Sequence, residues 1–349
     1  MQPALSLRSA PGILGAFVFP VILSLTGCSE ESTAPPWEGD DLVTETSAKQ
    51  AESNRDAGEA NKAGDPAATT TEGQKPGTVR FVAYNLQNWL TMDRYVDRKP
   101  VGSSAKPESE RDAIVALLKD AQPDILGICE IGTDDDLADL QRRLKSAGLD
   151  FPHVHRTGGV DNTRHLGLLS RFPITRTRIP DDLNYELEDR TRGMSRGILD
   201  ATVNTPKGEI RFLGAHLKSK REIPDADQEM MRRAEAHLLR READLILSED
   251  PDTQLIVYGD MNDMRQSSAI RTIKGPRDGP TSLKMVWLKD SRGDTWTHHW
   301  SYQDVYSRFD YIFMSPPLLD DITWDECCVL DGDSWSEASD HRALLLVIE

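Results

Sequence analysis

The sequence predicts an α/β protein in which two packed sheets are covered by outer helices. Three observations lead there. From Val79 onward short apolar runs alternate with helical patterns, the strands outnumber the helices, and no linker or internal repeat interrupts residues 79–349. Stacking two sheets and covering them with helices buries that many strands economically.

The elements follow in order. Val79–Tyr84 (V-R-F-V-A-Y) and Asp124–Cys129 (D-I-L-G-I-C) read as buried strands, because an unbroken apolar run of this length suits a strand covered on both faces. Between them Glu110–Ala121 places Ala113, Ile114, Leu117 and Leu118 on one helical face. A second helix, over Asp134–Ala147, carries Leu137, Leu140 and Leu144 at the same period. Strands are predicted at His165–Ser170, Arg196–Val203 and Glu209–His216. The longest helix starts after Pro224, with Asp225 as cap, Gln228 reciprocating, and Met231, Ala234, Leu238 and Leu245 facing inward. Gln254–Tyr258, Phe309–Met314, Ile322–Val329 and Ala343–Ile348 complete the strands.

The first 78 residues have a different texture. Ile13 to Leu25 is apolar and uncharged, with Arg8 before it; it is too short to span a bilayer and reads as the core of an export signal. It runs into Leu25-Thr26-Gly27-Cys28, which resembles the lipobox of bacterial lipoproteins and makes Cys28 the expected lipidation site after removal of residues 1–27. Glu30, rather than an inner-membrane retention signal, follows Ser29. The expected location is therefore the cell envelope, lipid-anchored and extracytoplasmic, with the outer membrane or cell surface favoured. Residues 28–78 are rich in Ala, Glu, Thr, Gly, Asp and Pro and nearly free of large apolar side chains, so they read as a disordered acidic tether.

Charge bounds the function. The formal net charge is −17, and residues 29–78 carry eleven Asp or Glu against four Lys or Arg. With Arg8, that leaves −11 on residues 79–349, which argues against broad electrostatic capture of nucleic acid and suits a site that collects carboxylates around a cation. Beyond Cys28, Cys129 reads as a small core residue. Cys327 and Cys328 are neighbours without the spacing of a zinc site.

Five polar clusters sit where an apolar strand ends: Asn85 after F-V-A-Y, Glu130 after I-L-G-I-C, His216 after R-F-L-G-A, Asp260 and Asn262 in L-I-V-Y-G-D-M-N, and Asp340-His341 before A-L-L-L-V-I. A strand interior fixes direction, so groups at its tip can be aimed into a shared cleft. Carboxylate and amide oxygens suit Mg2+ or Mn2+, and an Asp beside a His sets its tautomer and basicity. Each cluster taken alone also fits a turn or a satisfied strand end.

In this order the blocks V-R-F-V-A-Y-N, P-D-I-L-G-I-C-E, L-G-L-L-S-R-F-P-I, F-L-G-A-H-L-K-S-K, V-Y-G-D-M-N-D, S-R-F-D-Y-I-F-M-S-P and S-D-H-R resemble the endonuclease/exonuclease/phosphatase superfamily over residues 79–349. The resemblance implies a four-layer α/β/β/α sandwich of two mixed sheets with outer helices. It makes Glu130 the central ligand of Mg2+ (or Mn2+), with Asn85 beside it and Asp340 sharing the shell. It gives Asp260 the attacking water, Asn262 the hold on Asp260 and the phosphate, His341 (supported by Asp310) a phosphate oxygen or a proton, and His216 the role of a second stabiliser or acid. Asp260 and His341 both remain open as general base. Lys218, with Lys220 and Arg221, is a candidate phosphate clamp, and Arg196 a candidate substrate contact. Gln87 stands where one branch carries an Asp. Trp296, His298, His299 and Trp300 are expected in core packing, with stacking on bases as the alternative.

The implied activity is phosphodiester hydrolysis, first as an extracytoplasmic nuclease acting on nucleic acid. The alternatives are a phosphatase or phospholipase-like phosphodiesterase on small esters or lipid headgroups, or an inactive binding lipoprotein. No protein partner is expected.

Overall fold

In the computed structural model, residues 77–96, 99–224, 226–332 and 334–349 are described; the export signal, Cys28, the tether and the proposed cap Asp225 lie outside them. Two six-stranded mixed sheets form the body. The first runs, edge to edge, Cys328–Val329, Leu344–Ile348, Val79–Trp89, Ile125–Ile131, His165–Ser170, His153–Thr157; the second runs Lys284–Met285, Asp310–Met314, Gln254–Asp260, Gly208–His216, Ile198–Thr205, Ile174–Arg178. Each has one parallel pair at its centre, Val79–Trp89 with Ile125–Ile131 and Gly208–His216 with Gln254–Asp260, flanked by antiparallel partners.

Alternation along the strands builds the layers. Val79, Phe81 and Ala83 face the second sheet, while Val82, Tyr84 and Leu86 face the helices α1 (Glu108–Ala121) and α2 (Asp134–Ser146). On the other side α3 (Gln228–Glu249) and α4 (Ser268–Lys274) cover Leu213, Ala215, Leu255 and Val257. The result is the expected α/β/β/α order. Between the sheets, Phe81 packs on Phe212 and Tyr258 with centroids 5.0 Å away in each case. Tyr258 also lies across Gly127 of the first sheet, where an added Cβ would meet its Cε2 at 2.2 Å.

Several expected boundaries change. Asp227 caps α3, accepting from Met230 N at 2.9 Å. Leu245 is exposed and Ala234 half-buried; Ala236, Leu239, Ala243 and Ile246 fill the inner face together with Met231 and Leu238, because it is these positions, Met231 apart, that pack with Leu213, Leu255 and Val257 of the sheet. Ile322–Val329 is not one strand: a 3-10 turn at Trp324–Glu326 interrupts it, leaving Cys328–Val329 as a short strand and Ile322 in an isolated bridge to Ile348. Among the described residues no helix is long and apolar enough to cross a membrane. Cys129 is buried, and Cys129, Cys327 and Cys328 are free thiols.

Candidate active site

The central strands of both sheets deliver their polar ends to one rim. On the first sheet the pairing register steps from Cys129 to Ile131 against both neighbours and leaves Glu130 out. Glu130 sits in the left-handed region at φ 65°, a bulge that re-aims its side chain and costs on the order of 1–2 kcal/mol for a residue with a Cβ. Gln87 and Asn88 are also left-handed, at φ 48° and 62°. The turn they make points Asn88 N at Glu130 Oε2, 2.9 Å away, while Gln87 Oε1 accepts from Asp340 N at 3.1 Å. Buried Lys106, paired with Glu110 at 2.8 Å, braces the turn by donating to Gln87 O at 3.1 Å. Gln87 thus positions Asp340 through the backbone instead of adding a charge.

On the second sheet the register aligns His216 with Asp260 and Asp260 with Asp310. Gly259 takes φ 131°, and a Cβ there would meet Ala215 O at 1.9 Å; only glycine lets the two parallel strands close beside Asp260. Asp260 accepts from Asn85 Nδ2 at 3.1 Å, Asn262 N at 2.9 Å and Asn262 Nδ2 at 3.3 Å. Asn85 therefore joins the two sheets, its Oδ1 accepting from Gln87 N at 3.0 Å. His216 Nε2 stands 3.4 Å from Asp260 Oδ2 and 3.9 Å from Glu130 Oε1. His341 Nδ1 donates to Asp310 Oδ2 at 2.8 Å, and its Nε2 is 3.7 Å from Asp260 Oδ2. Ser339 Oγ donates to Asn85 O at 2.9 Å and accepts from His341 N at 3.0 Å, tying this segment to the first strand.

The electrostatics are those of crowded, buried acids. Burial pushes the Glu130 carboxyl up, and Asp340 adds to it. Burial, with Asp310 and Glu130, lifts Asp260 to about 7 against the pull of His341. Burial and the nearby charges of Arg196 and His341 hold His216 well below its ordinary value. For His341 burial acts downward, but Asp310, Asp260 and Asp340 outweigh it and keep the imidazole well above its ordinary value. Ligand atoms of Asp260, Asp310 and His341 lie within 4.8 Å of one another, as do those of His298, Asp340 and His341. Oxygen-rich and short of compensating cations, this donor set fits a divalent ion. His216 Nε2 stands 3.9 Å from Glu130 Oε1, beyond hydrogen-bond reach, which suits Glu130 as a first ligand.

All eight predicted metal and catalytic residues gather here. The two candidate substrate contacts sit beside them, each engaged by neighbouring groups. Arg196 is buried and pairs with Asp161 at 3.4 Å. Lys218 Nζ donates to the Ser219 and Arg221 carbonyls at 3.3 Å, and burial lowers its pKa. Lys220 is tied to Asp263 at 2.8 Å. Of the aromatic segment, Trp296 packs on Tyr306 and Trp335 as expected, whereas Trp300 is exposed.

Sequence reasoning missed several contributors. Glu235, buried in α3, accepts from Ser195 N at 2.9 Å and Lys218 N at 2.6 Å, pinning two site loops. Arg164 Nε holds Asn88 Oδ1 at 2.8 Å, and Thr297 Oγ1 accepts from the N–H groups of Phe309 and Asp310, both at 3.0 Å. His298 packs on His341, ring centroids 4.7 Å apart. A buried Glu in a helix and a His in an aromatic run were the only signals for two of these.

Comparison with known proteins agrees with this geometry. The profile of the Endonuclease/Exonuclease/phosphatase family matches residues 101–341. Truncated TDP2 from Caenorhabditis elegans superposes with a TM-score of 0.53 at 18% identity, over 78% of this chain and 97% of that one. An endonuclease/exonuclease/phosphatase from Bacteroides vulgatus gives 0.53 at 17%, over 78% and 98%. The human Nocturnin catalytic domain with bound sulfate gives 0.52 at 18%, over 78% and 94%. At such identity these likenesses speak for the fold. No curated protein matches the chain in sequence.

Proposed function

Since the chain belongs to the endonuclease/exonuclease/phosphatase family, whose members hydrolyse phosphoric esters, we propose that it is a divalent-metal-dependent phosphodiesterase acting as an extracytoplasmic nuclease. The observation that carries the reading is the convergence of Glu130, His216, Asp260 and Asp310, from separate strands of two sheets, with His341, from the segment leading into Leu344–Ile348, around contacts of 2.8–3.9 Å.

Glu130, with Asn85 and Asp340, would hold Mg2+ or Mn2+, which when bound supplies positive charge to the non-bridging phosphate oxygens. The chain's own groups do the rest. Asp260, fixed on both oxygens by Asn85 and Asn262, orients the attacking water and takes its proton. Asp310 occupies His341 Nδ1, so Nε2 is the atom left to donate to a phosphate oxygen. Neutral His216 lies against Asp260 and Glu130 and offers a second donor on the same side.

The location belongs to the same proposal. The Leu25-Thr26-Gly27-Cys28 motif and the acidic stretch after it support a lipid-anchored envelope protein; loss of fatty-acid labelling in Cys28→Ser tests it. The activity is tested by incubating the full chain with Mg2+ or Mn2+ and duplex DNA, single-stranded DNA, RNA, sphingomyelin, inositol phosphates or a monoester. Cleavage of nucleic acid, abolished by EDTA, is expected. Turnover confined to the small esters or lipid would replace nuclease by the small-ester reading, and no turnover would sink both.

A further inference from the structure

The segment carrying His298 meets the segment carrying His341 as an isolated antiparallel bridge, with His299 N donating to Asp340 O at 2.9 Å and Arg342 N to Thr297 O at 2.7 Å. His298 and His341 are therefore a cross-strand pair without hydrogen bonds between them, the arrangement that brings facing side chains closest. Their rings lie 4.7 Å apart, inclined by 55°. Asp340 offers one oxygen to each: Oδ2 is 3.9 Å from His298 Nε2 and Oδ1 is 4.0 Å from His341 Nε2.

We propose that His298 Nε2, His341 Nε2 and the Asp340 carboxylate form an inhibitory metal site, selective for Zn2+ over Mg2+, that shares Asp340 with the Mg2+ site. Two imidazole nitrogens and one carboxylate suit zinc, whereas Mg2+ prefers an all-oxygen shell. With zinc–ligand bonds of roughly 2.0–2.1 Å, tetrahedral ligand atoms sit about 3.4 Å apart, so the two carboxylate–imidazole gaps of 3.9 and 4.0 Å close by about half an ångström, and all three ligand atoms already lie within 4.8 Å of one another. Asp340 has 37% of its side chain exposed and His298 18%, which leaves them that freedom and keeps the site reachable. Asp310 already accepts from His341 Nδ1, the carboxylate–histidine support that metal-bound imidazoles use. His298 is steadied by stacking on Phe309 at 5.1 Å. The inhibitory consequence rests on the proposed function, since zinc would claim the His341 nitrogen meant for phosphate; the binding itself does not.

The test is calorimetric titration of ZnCl2 into the full chain in excess Mg2+, beside the rate of bis-p-nitrophenyl phosphate hydrolysis. One zinc should bind and the rate should fall with its occupancy. His298→Phe, which keeps the ring on Phe309, and His298→Gln, as a second variant, should weaken zinc at least ~10-fold and shift the inhibition midpoint equally, each read against that variant's own Mg2+-supported rate. Absent zinc binding, or equal binding by both variants, would overturn the proposal. If the wild type hydrolyses no phosphoester, the functional reading fails while calorimetry still decides the zinc site.

Discussion

Asp200 and Asp260 are each 2% exposed, on the same sheet, yet they live in opposite surroundings. Asp200, under α3, accepts from Arg178 Nε at 2.9 Å and from Arg211 Nε and Nη2 at 2.8 and 2.7 Å, and Arg178 goes on to pair with Glu242. Asp260, at the rim, has amides and imidazoles around it and the acids Glu130 and Asp310 pressing on it. Burial alone therefore does not mark a functional acid. What separates the two is compensation: one carboxylate is neutralised by its neighbours, the other is left in debt for a cation or a proton.

The contrast can be broken by four measurements. Asp260→Asn should lower the rate of phosphodiester hydrolysis by ~10²–10⁴-fold while leaving the fold intact. In EDTA it should even melt at or above the wild-type temperature at neutral pH and above. The wild-type carboxyl is lifted to about 7, so ionising it costs the fold stability as pH rises from the free range near ~4, and that cost is complete above about 7. Unfolding of Asp260→Asn well below wild type would erase the distinction. Asp200→Ala should do the reverse, losing about 1–3 kcal/mol in denaturant titration because it removes charge-assisted hydrogen bonds to the half-buried Arg178 and Arg211, with the rate per folded molecule retained.

Cation binding sharpens the point. A saturating divalent ion should raise the melting temperature, by a stabilisation of about 2.7 kcal/mol at 100 times its dissociation constant, and Glu130→Gln should abolish most of that rise. Glu235 is the intermediate case, a fully buried acid that accepts from the Ser195 and Lys218 N–H groups and bonds the Ser195 side chain. Glu235→Ala should cost about 1–3 kcal/mol and raise KM more than it lowers kcat, with Glu235→Gln recovering part of both, since its amide oxygen still accepts.

The same distinction explains what could be read from residue order. Central strands buried on both faces appear as continuous apolar runs, and an acid at either end of such a run is conspicuous; that exposed Glu130 and Asp260 after theirs, and Asp340 ahead of its own, to view. Edge strands His153–Thr157 (H-V-H-R-T) and Ile174–Arg178 (I-T-R-T-R) are half polar, so they escaped notice, as did the hairpins Met92–Ser104 and Asn184–Gly193. Leu245 looked internal because period alone cannot say where the stripe of α3 turns. Contacts such as Arg164 to Asn88 or Glu235 to Ser195 join residues 76 and 40 positions apart, and nothing local announces them.

Asn85 and Glu130 come from one sheet, His216, Asp260 and Asp310 from the other. Whatever holds the sheets at a set separation therefore also sets the gap across which the reaction would run. Tyr258 resting on the bare backbone of Gly127 acts as a spacer of fixed thickness between two plates. A residue with no functional group thus becomes a calibration point for the catalytic centre, and a single methyl at position 127 would act as a wedge, prising apart halves that only work in register.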